Sequence, residues 1–558
     1  MTPVRSARAP AIGVAAATVV LYAILAVWAC LTPPFRAPDE PQHVSTVLRL
    51  AYSHTYPAAG HAQLYPAVKG AEPVLGFRIV GDFLDTSPEK AAPASERGPQ
   101  TFRQLAAQAG PYTLKDFDQM TQHPPGYYAV MALPTRLFNL IDDTPRDAIV
   151  IMRLLSALLL IPLPYLAFRL TRALGGGTIA SMTAAFLPAG LPQLTHIGGA
   201  VNNDALIIPL AALLVVEAVE LAKFGATMKR AIWFGITYAA ALWTKGMALP
   251  LLVLPIGAYL LAARREGLRQ VLKPLVATAA ISCIGFSWWI ANVVRFHTLQ
   301  PQGYPAAYLA QLPHGNATFS AWFSGFFDSM TKSFWLDAGW LEMKPTRWAY
   351  VSASIVLLLL IVIAFIRSRG NRGLFVLAQI GWIAVMASIF QQSHAQFVDR
   401  STLAGSQGRY LFTGVTAMAA AIVLALRPQE HQDHQAGRRV AGHGSAATRR
   451  PTATRRAGSE SRVPLAPLVP LAVVFVAFYG LARGLHHFYV GSSWSARLHV
   501  MSTWSPLRVR EIAVIAAVAV IAALVGVVAL WASRSGGPEP AEPAEGSSRP
   551  GPQAQVAA

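Results

Sequence analysis

Long apolar runs separated by short basic loops constrain this sequence more than any other feature. Runs of spanning length fall at roughly 11–31, 148–170, 178–196, 204–222, 229–244, 247–263, 273–294, 349–367, 373–390, 410–427, 464–483 and 511–532. In hydrocarbon every backbone N–H and C=O must be bonded within the chain, so runs of this length predict α-helices, about twelve of them. Of 558 residues, 54% are hydrophobic and only 13% charged, about half the charged fraction of a soluble domain. A soluble or disordered protein is excluded, and the chain reads as an all-α polytopic membrane protein.

Lys and Arg number 46 against 27 Asp and Glu, a net charge of +19. The excess reports orientation and implies no nucleic-acid partner. Arg5/Arg8, Arg169/Arg172, Lys223/Lys229/Arg230, Arg264/Arg265/Arg269, Arg367/Arg369/Arg372 and the Arg-rich stretch 427–463 all fall on one side when twelve spans alternate. By the positive-inside rule that side is the cytoplasm, which puts both termini inside. Residues 1–10 are then a cytoplasmic N-terminus. The basic start and apolar run imitate a signal peptide, yet the run is long enough to span and Trp28 spoils a small-residue cleavage site or lipobox. Counting 126–141 as a further span would place Arg169/Arg172 outside and Asp142, Asp143 and Asp147 inside, so that run is read as a juxtamembrane or re-entrant helix.

Three segments then face outward: 32–147, 295–348 and 391–409. The first, rich in Pro and Gly turns, predicts short helices lying on the membrane surface. Residues 11–427 form one transmembrane module, and 464–532 a C-terminal pair of spans. Residues 428–463 and 533–558 have the composition of disordered cytoplasmic segments. Cys30 and Cys283 lie far apart in apolar runs, without zinc or disulfide spacing.

Two carboxylates open the first outer segment, in Pro38-Asp39-Glu40-Pro41-Gln42-His43. Glu40 precedes a proline and Pro41 suits a first helical turn, which predicts a helix starting there with Glu40 near its N-cap. That position favours ionised carboxylates; with His43 one turn on, the pair suits deprotonation of a hydroxyl or a divalent metal ion. Plain helix capping is the alternative. In His123-Pro124-Pro125-Gly126-Tyr127-Tyr128 the prolines fix an angle and the tyrosines suit a membrane interface, leaving His123 unexplained. Asn202-Asn203-Asp204 heads a membrane helix, where Asp204 either caps or binds an acceptor hydroxyl.

Lys245 interrupts an apolar stretch, and a lysine at membrane depth marks function unless it snorkels to the headgroups. In Gly405-Ser406-Gln407-Gly408-Arg409-Tyr410 the glycines permit close backbone approach and Arg409 offers a planar fork of donors suited to phosphate. An Arg–Tyr interface anchor is the alternative there. The sequon at Asn316 and the histidines 431, 434 and 443 carry little weight.

In that order, these motifs resemble the C-type glycosyltransferase superfamily (GT-C fold). More narrowly, they resemble a family of bacterial predicted integral membrane proteins of unassigned function placed within it. The likeness covers residues 11–430 and says little of the tail. It implies transfer of a hexosyl or pentosyl group from a polyprenyl-phosphate carrier to a cell-envelope acceptor (glycan, lipid or protein) outside a bacterial plasma membrane. It implies Asp39 as general base, with Glu40 supporting it or helping to hold a metal. His43, His123, Asp204, Lys245, Arg409 and Tyr410 fall to substrate binding, with Arg409 and Lys245 stabilising the departing phosphate. Trp288-Trp289 is followed by Ile290, so the Trp-Trp-Asp motif of protein oligosaccharyltransferases is absent and single-sugar transfer is favoured.

A transporter or lipid-linked-sugar flippase is the competing reading, with Lys245, Asp204 and Arg409 on a substrate path. The dominant outer segment and the lack of a repeat speak for the enzyme, and a non-catalytic envelope scaffold is the third reading. Acceptor recognition is expected in 44–122 and 295–348, where Trp322, Phe326, Phe327, Trp335 and Trp340 suit either sugar stacking or an interface belt.

Overall fold

Because unpaired backbone groups are costly in hydrocarbon, a chain this apolar becomes a bundle of helices. The computed structural model describes residues 3–535 except 76–77, 81–82, 86–99, 313, 344, 403–405, 428–464 and 490. Ten helices among the described residues are long and apolar enough to cross a membrane, from Arg8–Leu31 to Val509–Arg534. Sheet structure there is confined to the antiparallel pair Arg78–Val80 and Phe83–Asp85 and a lone bridge between Gln63 and Phe117.

Two of the expected spans are shorter than the rest. Met228–Leu242 has 15 residues; the 178–196 run is broken into Thr178–Phe186, a 3-10 turn at Leu187–Gly190 and Pro192–Gly198, with Pro188 and Pro192 at the breaks. Neither is among the helices long and apolar enough to cross. At one end basic side chains cap helix C-termini: Lys223 Nζ donates to the Ala173 carbonyl (2.8 Å), Arg265 to Ala222 (2.7 Å) and Arg230 to Phe224 (3.1 Å). Arg427 reaches across to Gly175 (3.4 Å). At the other end Val201 meets Glu40, and Lys245 meets Asp204. Ten spans stand among the described residues where about twelve were expected, and the basic loops collect at one end.

The outer segment builds the helices Glu40–Tyr52, Pro66–Leu75, Phe102–Ala107 and Gly126–Leu137. Gly126–Leu137, at 12 residues, extends only about 18 Å at 1.5 Å per residue, too short to cross. It buries Tyr127, Tyr128 and Met131 and exposes Val130, Leu133 and Leu137, as a surface-lying helix does. Glu40–Tyr52 is fixed from behind by buried Asp118, which accepts from Ser45 Oγ (2.6 Å) and Thr46 Oγ1 (3.0 Å).

The two C-terminal spans, Val469–Phe488 and Val509–Ser535, pack on the first helix. Gly484 lies against the Trp28 ring, where a side chain would not fit, and Tyr489 donates its hydroxyl to the Leu31 carbonyl (2.8 Å). The tail on which the sequence resemblance is silent thus holds the helix that leads into Asp39. Residues 428–463, and 536–558 of the expected C-terminal segment, lie outside the described residues.

Candidate functional site

Asp39, not Glu40, is the N-cap of the Glu40–Tyr52 helix, with Pro41 in its first turn. Its side chain makes no capping bond, and its backbone is left-handed (φ 59°), a conformation that costs most residues about 1 kcal/mol and that Asp tolerates. The carboxylate is turned away from its own helix. It accepts from Arg409 Nη2 (2.9 Å) and Gln119 Nε2 (3.3 Å) and is 23% exposed.

Glu40 points the other way, into the bundle. Arg153 grips it with a two-point fork, Nε to Oε1 (2.7 Å) and Nη2 to Oε2 (2.6 Å), both side chains fully buried. The amides of Phe35 (3.0 Å) and Val201 (3.2 Å) complete its shell. Arg153 also donates to the carbonyls of Ala29, Thr32 and Pro33, closing the end of the first helix. This arrangement leaves Glu40 without a free oxygen for a metal ion. Among the described residues no group of three or more His, Cys, Asp or Glu is placed to hold one.

From Asp39 a row of alternating charges continues. Arg409 Nε lies 3.6 Å from Asp204 Oδ2, and Lys245 Nζ donates to Asp204 Oδ1 (2.7 Å). Tyr410 lies under both cations, its ring centre 5.3 Å from Lys245 and 5.5 Å from Arg409. Asp204 therefore neither caps its helix nor faces water; it is 1% exposed and its own amide donates to Asn202 Oδ1 (2.9 Å). Lys245 does not snorkel, and Arg409 is no interface anchor, because both are buried.

Tertiary docking creates this convergence. The Gly126 amide donates to the Trp243 carbonyl (2.8 Å), seating the His123 turn beside Lys245, and Tyr56 donates to the His123 carbonyl (2.8 Å). His43 stacks on Tyr128 and shares a 3.0 Å hydrogen bond with its hydroxyl. Burial holds both histidines neutral, with the positive charge of Lys245 adding to it: His43 titrates well below the usual range and His123 is pushed down to about 3. The Gln407–Tyr410 turn is clamped to the Phe319–Trp335 helix by Ser333 Oγ, which accepts from the Gly408 amide (2.7 Å), and by Ser329 Oγ, which donates to the Ser406 carbonyl (2.6 Å). Gly405 lies outside the described residues.

Two predictions arise here. Below about pH 6.5 the folded state holds fewer protons at His43 and His123 than the unfolded chain, so each costs stability as pH drops, for His123 down to about pH 3, by up to about 1.4 kcal/mol per pH unit. Buried Asp118 and Glu72, pushed up to about 6 and about 7, act in the opposite sense, so the test is the difference: between pH 7 and pH 5 in detergent a His123→Asn variant should lose less thermal stability than the wild type, and equal changes in both would contradict a neutral buried His123. Second, a Cβ at Gly408 would collide with the Met330 carbonyl and the Phe334 backbone, neither of which can yield cheaply. Gly408→Ala is expected to cost about 1–3 kcal/mol, read as a lower unfolding temperature; an unchanged one would show that the clamp is loose.

Sequence reasoning passes over three residues of the site. Arg153 sits within an apolar run, where the rule that singles out Lys245 applies equally. Gln119, at the start of the 3-10 turn Gln119–Gln122, and Tyr304, in an irregular segment, carry no sequence signal. Burial, with the negative charge of Asp39 nearby, raises the Tyr304 hydroxyl and keeps it protonated. Among the aromatics expected to meet sugars, Trp322 (1% exposed) and Phe326 (3%) are packed against Phe390, and Trp322 also against Phe397. Trp340 donates to the Phe35 carbonyl (3.1 Å) and Trp335 to Ser354 (2.9 Å). Of the five, Phe327 is the most exposed.

Residues 22–416 match a family model described as "Predicted membrane protein (DUF2142)". No curated protein matches the chain in sequence. Among solved structures, ArnT from Cupriavidus metallidurans in the apo state is similar at 14% identity and a TM-score of 0.40, over 92% of this chain and 75% of that one. The same protein bound to undecaprenyl phosphate gives 14% and 0.40, over 94% and 77%. The Archaeoglobus fulgidus oligosaccharyltransferase in the apo form gives 14% and 0.38, over 88% and 58%.

Proposed function

The chain belongs to the DUF2142 family of predicted membrane proteins, and from that premise we propose that it is a membrane glycosyltransferase. It moves one sugar, hexosyl or pentosyl, from a polyprenyl-phosphate carrier to a hydroxyl of a cell-envelope glycan, lipid or protein. The reaction belongs to the extracytoplasmic face of a bacterial plasma membrane, with both termini in the cytoplasm. The observation that carries this reading is the row Asp39–Arg409–Asp204–Lys245, buried except at Asp39 and drawn from four distant segments to one end of the bundle. That end is opposite the basic loops, which the positive-inside rule assigns to the cytoplasm.

A glycosyl phosphate already carries a good leaving group, so the chain must supply a base on one side and cations on the other. Asp39, the more exposed of the two carboxylates in the row, takes the proton of the acceptor hydroxyl. The freed oxygen attacks the anomeric carbon, the bond from that carbon to the phosphate oxygen breaks, and the electron pair leaves with the carrier phosphate. Arg409 and Lys245 receive the added charge in a site shielded from water, where each is worth more than in solution. Glu40 positions Asp39 through Arg153. Since neither of its oxygens is free, the residues do not fit a metal held by the Asp39–Glu40 pair, and no step here runs through one.

The test is transfer of radiolabelled sugar from a panel of synthetic polyprenyl-phosphate sugars by the purified protein in liposomes, alongside Asp39→Asn and Arg409→Ala. Labelled product from the wild type alone supports the enzyme and both roles. Labelled lipid crossing the bilayer intact, without transfer, replaces this reading with a flippase.

A further inference from the structure

Resting on that reading, we infer that the carrier phosphate and Asp39 compete for Arg409, so that donor binding is what releases the base. As the site stands, its charges balance: two cations, Arg409 and Lys245, against two carboxylates, Asp39 and Asp204. A phosphodiester arriving here brings one more negative charge into a buried space, where an unpaired charge is strongly disfavoured. One carboxylate must give up its cation.

The geometry selects which. Asp204 is 1% exposed and is held by Lys245 at 2.7 Å, with Arg409 a further 3.6 Å away. Asp39 is 23% exposed, bonded to Arg409 at 2.9 Å and to a neutral amide at 3.3 Å. Of the Arg409 donors, Nε and Nη1 are buried and make no hydrogen bond, so the planar fork has capacity for a phosphate oxygen beside the nitrogen that Asp39 uses. Asp204 stays in place and keeps both cations oriented; Asp39 yields. While Arg409 and Gln119 hold its two oxygens the Asp39 carboxylate has its hydrogen-bonding sites engaged, and loss of Arg409 frees Oδ2 for an acceptor hydroxyl. No covalent bond changes in this step. Carrier binds first, and the acceptor hydroxyl meets an active base only afterwards.

This makes an unusual demand on a variant that abolishes transfer. Asp39→Asn keeps the shape of the side chain and removes the competing charge, so undecaprenyl phosphate should bind it about tenfold more tightly than it binds the wild type. Asp39→Ser, a second variant against the chance that Asn is mishandled in folding, should shift affinity in the same direction. Binding is measured on full-length protein in lipid nanodiscs, with undecaprenol as the uncharged control. Equal or weaker binding of undecaprenyl phosphate by both variants, with the wild type binding it over undecaprenol, overturns the competition and leaves the carrier reading standing. If the wild type and the variants alike fail to prefer undecaprenyl phosphate to undecaprenol, the carrier reading falls and the inference with it.

Discussion

Asp39→Asn is expected to lower the turnover of sugar transfer by about 10²–10⁴-fold, the usual span of general-base catalysis, while the protein still inserts and folds. The second half of that expectation is as specific as the first. Asn accepts the left-handed backbone at this position nearly as well as Asp, and its amide oxygen can still accept from Arg409 and Gln119. The site is 23% exposed, so no deeply buried charge is left unpaired on the protein side except that of Arg409, which Asp204 also faces. The measurement is single-turnover transfer at saturating donor, with size-exclusion behaviour and unfolding temperature as the check on folding. Turnover within threefold of the wild type would remove Asp39 from the chemistry and leave it a structural partner of Arg409. Lost turnover together with tightened carrier binding would separate chemistry from affinity in one residue.

The sequence makes some of this site legible and not the rest, and the division has a physical cause. Asp204, Lys245 and Arg409 announce themselves because a charge beside long apolar runs has to be explained by a partner. What the sequence does not contain is which partner, since Asp204 and Lys245 are joined only by the packing of neighbouring helices. Arg153 obeys the same rule, yet a single arginine scarcely dents the hydropathy of its run, and its carboxylate lies 113 positions away. At Glu40 the proline spacing locates the helix start to within one residue, but the direction of the carboxylate is decided by Arg153 and the amides of Phe35 and Val201. The aromatic run around Trp322 fails for a different reason. Spacing along a helix tells which residues share a face, whereas whether that face meets solvent or another helix is set by the later span carrying Phe390 and Phe397.

The Arg153–Glu40 pair should be the costliest single contact to break outside the chemistry. Arg153→Ala is expected to destabilise the protein by about 3–5 kcal/mol, because it strands a carboxylate with no access to water. It also removes the donor shared by the carbonyls of Ala29, Thr32 and Pro33. Glu40→Ala should cost a similar amount for the opposite reason, an unpaired guanidinium in the same place. The double replacement Arg153→Met with Glu40→Met removes both charges and fills much of the volume, so it should recover stability relative to either single alanine variant. Turnover should not recover with it, since methionine cannot accept the amides of Phe35 and Val201 that fix the turn before Asp39. Unfolding temperature and transfer rate are then measured on all three. If the double variant regained both, the pair would be an ordinary buried contact; if Arg153→Ala lay within about 1 kcal/mol of the wild type, the pair would not be the dry anchor that its geometry implies. Stability regained without turnover would show that the buried pair serves to place the neighbouring carboxylate, which is why a chain of this kind keeps two acids side by side and uses them in opposite directions.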